Sequence, residues 1–500
     1  MHSPRICEGN LCHARCGVSA LANSRDKFNL PRGLTPPGNQ PRGTTENHAS
    51  ILHTGNATGV SVTGLVLIGI GGIVGAGYFL GVGMAVSEAG PSILLGFVLG
   101  ALLMSQVVGA ITSLSVNHPV EGSFRTYAQE MLGPFIGYMQ GWLYWLSSVL
   151  TIGSEAIAMA VFARMWLPGM PIWSLSLLFI VLVLLLNAFG VNVFAKLESA
   201  LAGVKLVALI AFIVIAIFLL MQPNAFHLSL THLLSRGFFP HGVLGLFQSM
   251  LIVVFAYAGI GVVATAITQL NHAEDAGRAS GLIVFGLAIL YILSLLALLL
   301  LLPWWKISTQ TGPFTLALNI HHLFGIANLM NGVVLVAAFT VMGGALFSAV
   351  LILSSMANAR QAPYFMKKTP GRFGGFPALL VSVAGVVLSI LISFKLPASV
   401  YNDLISASSF FTFFNWVIIL LSWMRYKRIH RDDVHYQSAF LRFGGVTLFA
   451  TIVVIVALAG FALTNADQRM GAIAAALLFL LVAVFYPWIR KRSHPHMERS

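Results

Sequence analysis

Two ionisable residues stand where an apolar surrounding makes charge expensive. Lys205 lies about six residues, or ~9 Å of helix, into an apolar run that begins near residue 199, and Glu155 lies in the stretch GSEAIAMAVF. A charge at the centre of a bilayer costs at least ~2.5 kcal/mol, so each is a functional candidate. A lysine held out of water can load and release a proton, or it can merely snorkel its ammonium to an interface. Glu155 can be a protonatable partner in coupling, a selectivity group facing a substrate side chain, or a hydrogen-bonded structural carboxyl between helices. Proton loading and release by Lys205 is the preferred reading, with Glu155 the second candidate.

A second kind of chemistry is written in the glycines. Residues 69–83, GIGGIVGAGYFLGVG, hold seven glycines in fifteen positions, although each interior glycine costs a helix up to about 1 kcal/mol relative to alanine. Close packing through Gly71 and Gly75 is one use for them. Gly75-Ala76-Gly77 followed by the aromatic Tyr78 is also what an unwound segment at the membrane midplane needs. A second interrupted stretch, VFAYAGIG at 254–261, lies five apolar runs later. Paired interruptions of this kind point to a transporter site built from an inverted repeat. Exposed N–H groups at one broken end receive a carboxylate, and freed carbonyls at the opposing end receive an ammonium, so a zwitterion such as an α-amino acid fits both. Broken backbone is tolerated at that depth only where it lines a cavity or is buried in protein.

The elements that must hold these groups are membrane helices. The chain has 500 residues, of which 57% are hydrophobic and only 9% charged, far from the roughly 25% charge of soluble domains. Apolar runs give twelve spans, near 62–85, 90–115, 134–162, 172–193, 199–221, 242–269, 279–303, 328–357, 375–394, 398–424, 444–463 and 470–489. The net charge of +13 would suggest nucleic acid on a soluble chain, but its distribution is topological: inner segments carry 22 of the 28 Lys and Arg, and outer ones carry Arg164, Arg236, Lys306, Lys395 and Arg469. Both termini are therefore expected in the cytoplasm, with the chain multi-pass in the cell membrane. No nucleic-acid partner is expected. Residues 1–58 read as a disordered cytoplasmic tail without a cleavable signal peptide. Its Cys7, Cys12 and Cys16 do not have zinc spacing. No metal or cofactor is expected, since His227, His232, His241, His321 and His322 sit in outer loops without a ligand-like cluster.

In these glycine-rich segments and in a third motif, the chain resembles the amino acid permeases of the amino acid-polyamine-organocation superfamily over roughly residues 60–440. GGIVGAGYFLG resembles the family's first-helix signature. HPVEGSFRTYAQEMLGPFIGYMQGWLYW, residues 118–145, resembles its loop into helix three, with Pro119, Gly122, Tyr127, Gly133 and Gly141-Trp142 in place. The resemblance implies an all-α, leucine-transporter-like core of two inverted five-helix repeats, 59–221 and 222–424, with helices 1 and 6 discontinuous. Helices 11 and 12 follow at 425–489 and a short cytoplasmic tail at 490–500. It assigns Gly75, Ala76 and Gly77 to the substrate carboxylate. The Ile73, Phe255 and Ala258 carbonyls go to its amino group, with Gly259 in the unwound segment and Phe255 as an aromatic gate. Glu198-x6-Lys205 resembles the pattern in which a helix-five lysine replaces a coupling sodium. Departures are visible: Gly261 and Gln269 stand where many members have glutamates, Ala273 where a proline follows, and Leu351 where an arginine is common.

The resemblance implies a secondary active amino acid importer driven by protons, in which helices 1, 2, 6 and 7 rock against 3, 4, 8 and 9. An exchanger that needs no proton is the alternative. A nutrient sensor without transport is a more distant one, because the tail after Tyr486 is short for a signalling module. Side-chain preference is expected from Phe255, Tyr257 and Glu155. No enzyme is expected: there is no P-loop, nucleophile elbow or catalytic carboxylate pair, and the Gly-rich segment lacks the strand that a nucleotide fold requires. Glu121 and Glu130, flanking Arg125, read as solvated loop residues.

Overall fold

The computed structural model describes residues 61–120, 123–188, 191–223, 225–267, 270, 275–307, 312–367, 375–393 and 400–493. The cysteine-bearing tail, Glu121, Gly122, Gln269 and Ala273 lie outside them.

The described chain is helical. It opens with α1 (Val62–Ile73), α2 (Ala76–Phe79), α3 (Gly81–Ala89), α4 (Ile93–Asn117), α5 (Ser123–Leu132) and α6 (Pro134–Ala163). Then come α7 (Ile172–Ala188), α8 (Val191–Leu220), α9 (Ala225–Leu234), α10 (Gly242–Ala256), α11 (Ile260–Ile267) and α12 (Ala276–Leu301). The last third holds α13 (Pro313–Ile320), α14 (Phe324–Asn358), α15 (Phe376–Ser393), α16 (Val400–Ile429), α17 (Gly445–Ala462) and α18 (Ala466–Ser493).

Among the described residues, eight helical stretches are long and apolar enough to cross a bilayer, and four apolar helices are shorter: Val62–Ile73, Ile172–Asn187, Gly242–Ala256 and Phe376–Leu391. Two of the short ones, α1 and α10, are short because the runs expected at 62–85 and 242–269 are each divided, the first at Val74-Gly75 and the second at Tyr257–Gly259.

The packing is that of a multi-pass membrane protein. Large apolar side chains point outward, with Leu477 62%, Leu480 59% and Val484 73% exposed on α18, whereas Gln140, Glu155, Lys205 and Ser408 are enclosed. Such a surface suits lipid, and the buried polar groups must find partners inside. α6 is the central element, packed along α14 and α16, while α1 lies against α8, α11 and α12. The two divided helices thus face each other across the middle of the bundle, with α6 beside them.

Candidate functional site

α1 stops because Val74 (ψ 104°) and Gly75 (φ −138°, ψ −165°) are extended. Helical bonding resumes when Tyr78 N–H and Phe79 N–H donate to the Gly75 carbonyl at 3.1 and 3.2 Å. That register leaves the Ala76 and Gly77 N–H groups without helical acceptors. Both are taken by one side chain: Ala76 N–H donates to Glu155 Oε2 at 2.9 Å and Gly77 N–H to Glu155 Oε1 at 3.2 Å. Glu155 reaches them from the middle of α6 and is 2% exposed.

The other side of the break is held by a cation. Lys205 Nζ, on α8, donates to the carbonyls of Gly71 at 2.5 Å and Val74 at 2.9 Å. The side chain is fully buried, so its ammonium lies inside the protein and not at an interface. It is within electrostatic reach of Glu198, itself buried, and of Glu155. Lysine and glutamate thus secure opposite sides of the same two-residue gap.

The glycines permit close approach as well as the break. A methyl group at Gly71 would collide with Ala202 on α8. At Gly75 it would sit 2.8 Å from Val341 Cγ2 and 2.9 Å from Glu155 Oε1, and at Gly77 2.7 Å from the Phe255 ring.

The second break meets the first. After α10, Ala258 N–H donates back to the Phe255 carbonyl at 3.0 Å, and Gly259 takes φ +120°, a conformation open to glycine and costly for other residues. A Cβ on Gly259 would lie 3.0 Å from Ile73 Cγ1 and 3.3 Å from the Gly72 carbonyl oxygen. Ile73, Gly77, Glu155, Phe255, Ala258 and Gly259 consequently line one cavity. Gly75 and Ala76, which precede Gly77 in the chain, are not among its lining residues.

Tyr257 is placed differently from the substrate contact expected of it. Its hydroxyl donates to the Phe97 carbonyl at 3.1 Å, and its ring packs beside Phe97 and Tyr291, away from the cavity. The chain still turns helically at this point, so two residues on from Phe255 the side chain is rotated by roughly 200°.

Several contributors were not singled out in the sequence. The Tyr144 hydroxyl, from α6, fills the space that a Cβ at Gly261 would need. A side chain at 261 and Tyr144 therefore exclude each other. Tyr78 stacks on Tyr291 with ring centroids 3.9 Å apart, and its hydroxyl donates to the Tyr291 carbonyl, anchoring α2 to α12. The Tyr401 hydroxyl donates to the Ala76 carbonyl at 3.4 Å. At the approach to α6, residues 123–132 form a helix instead of a loop, and Arg125 is 5% exposed. Its guanidinium donates to Gln129 Oε1 at 2.9 Å and Gln361 Oε1 at 3.0 Å, tying α5 to the chain beyond α14. Burial lowers its pKa, with Glu130 opposing the shift. Glu130 pairs with His118 at 2.9 Å. Among the described residues no group of three or more His, Cys, Asp or Glu is placed to hold a metal ion.

Comparison with known proteins places the chain among transporters. The chain is 31% identical to the "uncharacterized transporter YcgH" of Bacillus subtilis over 87% of its own length and 95% of the relative's. It is 30% identical to the aromatic amino acid transport protein AroP of Salmonella typhimurium, over 78% and 88% of the two chains. Among solved structures, a manganese transporter from Eremococcus coleocola aligns with a TM-score of 0.53 at 14% identity, covering 87% of this chain and 95% of that one. At that identity the likeness is one of fold. The amino acid permease family model matches residues 64–498, through both helix breaks and the helices around them, and the chain belongs to that family of transporters.

Proposed function

We propose that this protein is a secondary active amino acid carrier that imports its substrate with protons. In this reading it has twelve spans with both termini cytoplasmic, and its core is a pair of inverted five-helix repeats in which the first and sixth spans are the divided ones. The observation that carries the reading is that the amides of Ala76 and Gly77 already hold a carboxylate, that of Glu155. N–H groups that donate to one buried carboxylate are aimed and desolvated for another. The substrate carboxylate goes to the Gly75-Ala76-Gly77 segment. The ammonium goes to the carbonyls of Ile73, Phe255 and Ala258, a reading supported by the three residues lining one cavity. Phe255 closes over it.

The rest of the cavity wall mixes large apolar groups, Phe124, Tyr144, Trp416 and Ile419 among them, with hydroxyl and amide groups such as Thr151 and Asn415. Such a wall, with no ionisable carboxylate or amine beyond Glu155, favours a neutral side chain, and the relatedness to AroP supports an aromatic one. Lys205 and Glu155 are the proton-handling groups, placed on either side of the break that must rearrange during transport.

Purified protein in proteoliposomes tests the reading. Labelled L-phenylalanine should accumulate under an inward proton gradient with no amino acid inside. Uptake only against internal amino acid identifies an exchanger instead. Binding with no counterflow identifies a sensor, and failure to bind any amino acid rejects the proposal.

A further inference from the structure

We infer that Glu155 is a built-in competitor for the substrate carboxylate, so that substrate binding requires Glu155 to leave the Ala76 and Gly77 amides and to take up a proton. The inference rests on the amino acid reading above and specifies what that reading leaves open, the order of events at the carboxylate position.

The geometry leaves little choice. The Ala76 and Gly77 N–H groups of the first break are both used, one by each oxygen of the same side chain, at 2.9 and 3.2 Å. The Gly77 side of this pair faces the cavity, and Glu155 itself lines it. A substrate carboxylate therefore cannot reach the amides while Glu155 holds them. Gly75 shows how tight the position is, since even a methyl group there would approach Glu155 Oε1 to 2.9 Å.

Once displaced, an ionised Glu155 would be a buried charge deprived of two charge-assisted hydrogen bonds. The groups with which it interacts electrostatically are Lys205 on α8, Tyr291 on α12 and Tyr401 on α16. Lys205 is occupied with the Gly71 and Val74 carbonyls, Tyr78 donates to the Tyr291 backbone while the Tyr291 hydroxyl donates to the Ala256 carbonyl, and the Tyr401 hydroxyl donates to Ala76. None offers the displaced carboxylate a replacement for two amides. A proton does, because a neutral carboxyl is far cheaper to bury than an unpaired carboxylate. The exchange is then balanced: one carboxylate replaces another beside Lys205, and one proton enters with the zwitterion.

Two consequences follow for specificity. A substrate must bring a carboxylate able to replace the one it expels, so a decarboxylated amine gains nothing at the amides. Affinity must also fall as pH rises, because the competitor is present only when ionised.

The test is equilibrium binding of L-phenylalanine to the purified full-length protein between pH 5 and 8, a range in which the ligand stays zwitterionic. In the wild type, affinity should weaken by up to about tenfold per pH unit once Glu155 is ionised in the free protein, the limit for one linked proton. Glu155→Gln should bind with little dependence on pH, and at pH 8 more tightly than the wild type. Glu155→Ala should do the same, checked for folding by its elution profile and thermal transition. In weakly buffered solution at pH 8, the wild type alone should take up about one proton per ligand bound, a measurement that does not depend on either variant folding. Wild-type binding without proton uptake overturns the inference, as does an unchanged pH slope in Glu155→Gln. Weaker binding at every pH in both variants overturns it in favour of Glu155 pairing with the substrate ammonium. Absence of binding by wild type and variants alike, with leucine, lysine and glutamate tested beside phenylalanine, rejects the amino acid reading on which it stands.

Discussion

Lys205→Arg keeps a positive charge at the broken end of α1 and removes the capacity to release a proton, because a guanidinium stays charged at every working pH. The structure sets the scale of what is at stake. Lys205 Nζ serves two carbonyls, those of Gly71 and Val74, at a fully buried position. Leaving a buried acceptor without its donor costs about 1–3 kcal/mol, so Lys205→Ala should weaken the broken conformation by about 2–6 kcal/mol before any effect on Glu198 and Glu155 is counted. That variant should lose both exchange and accumulation. Arginine separates the two: it still donates to the carbonyls, so counterflow of labelled phenylalanine should persist, while accumulation driven by an inward proton gradient should fall below the wild-type level, to what the Glu155 proton alone supports. The assay is paired, with both fluxes measured on the same proteoliposomes and the thermal transition of each variant recorded. Gradient-driven accumulation by Lys205→Arg at the wild-type level would refute the reasoning and leave Glu155 as the sole proton-handling group.

Three further outcomes are expected. Gly77→Leu should abolish binding of every amino acid alike, because the added side chain starts 2.7 Å from the Phe255 ring; normal uptake would show that the site lies elsewhere. Phe255→Ala should slow transport and loosen side-chain selectivity while retaining measurable binding, and complete loss of binding would mark Phe255 as a structural support of the breaks instead. Cysteines placed at Lys306 and Lys427, in a chain with Cys7, Cys12 and Cys16 replaced by serine, should react with an impermeant reagent from opposite faces of the membrane; labelling of both from one face would overturn the proposed topology.

Both helix breaks could be read from local sequence because their cause is local. Glycines at 75, 77 and 259 weaken helix and permit close approach, and their effect appears at their own positions. The depth of Lys205 was legible for the same reason, as a charge in an apolar run. What it touches was not. The bond from Ala76 to Glu155 spans 79 residues and that from Lys205 to Gly71 spans 134, and nothing within GSEAIAMAVF states which face of α6 meets the first break. The direction of Tyr257 was not legible either, because a last helical turn inside an interrupted segment directs it to Phe97. Residues 123–132 looked like loop because they are polar, yet Arg125 is buried through Gln361, a partner more than two hundred residues away.

The central claim is that two helix breaks, meeting at Gly72, Ile73 and Gly259, form a site for a zwitterion. Counterflow in proteoliposomes tests it most directly when L-phenylalanine is compared with phenethylamine, which lacks the carboxylate, and with 3-phenylpropanoate, which lacks the ammonium. The account predicts that only external L-phenylalanine drives counterflow of labelled phenylalanine. Equal counterflow with either one-charged analogue would contradict it, since one of the two broken ends would then have no part in holding the substrate.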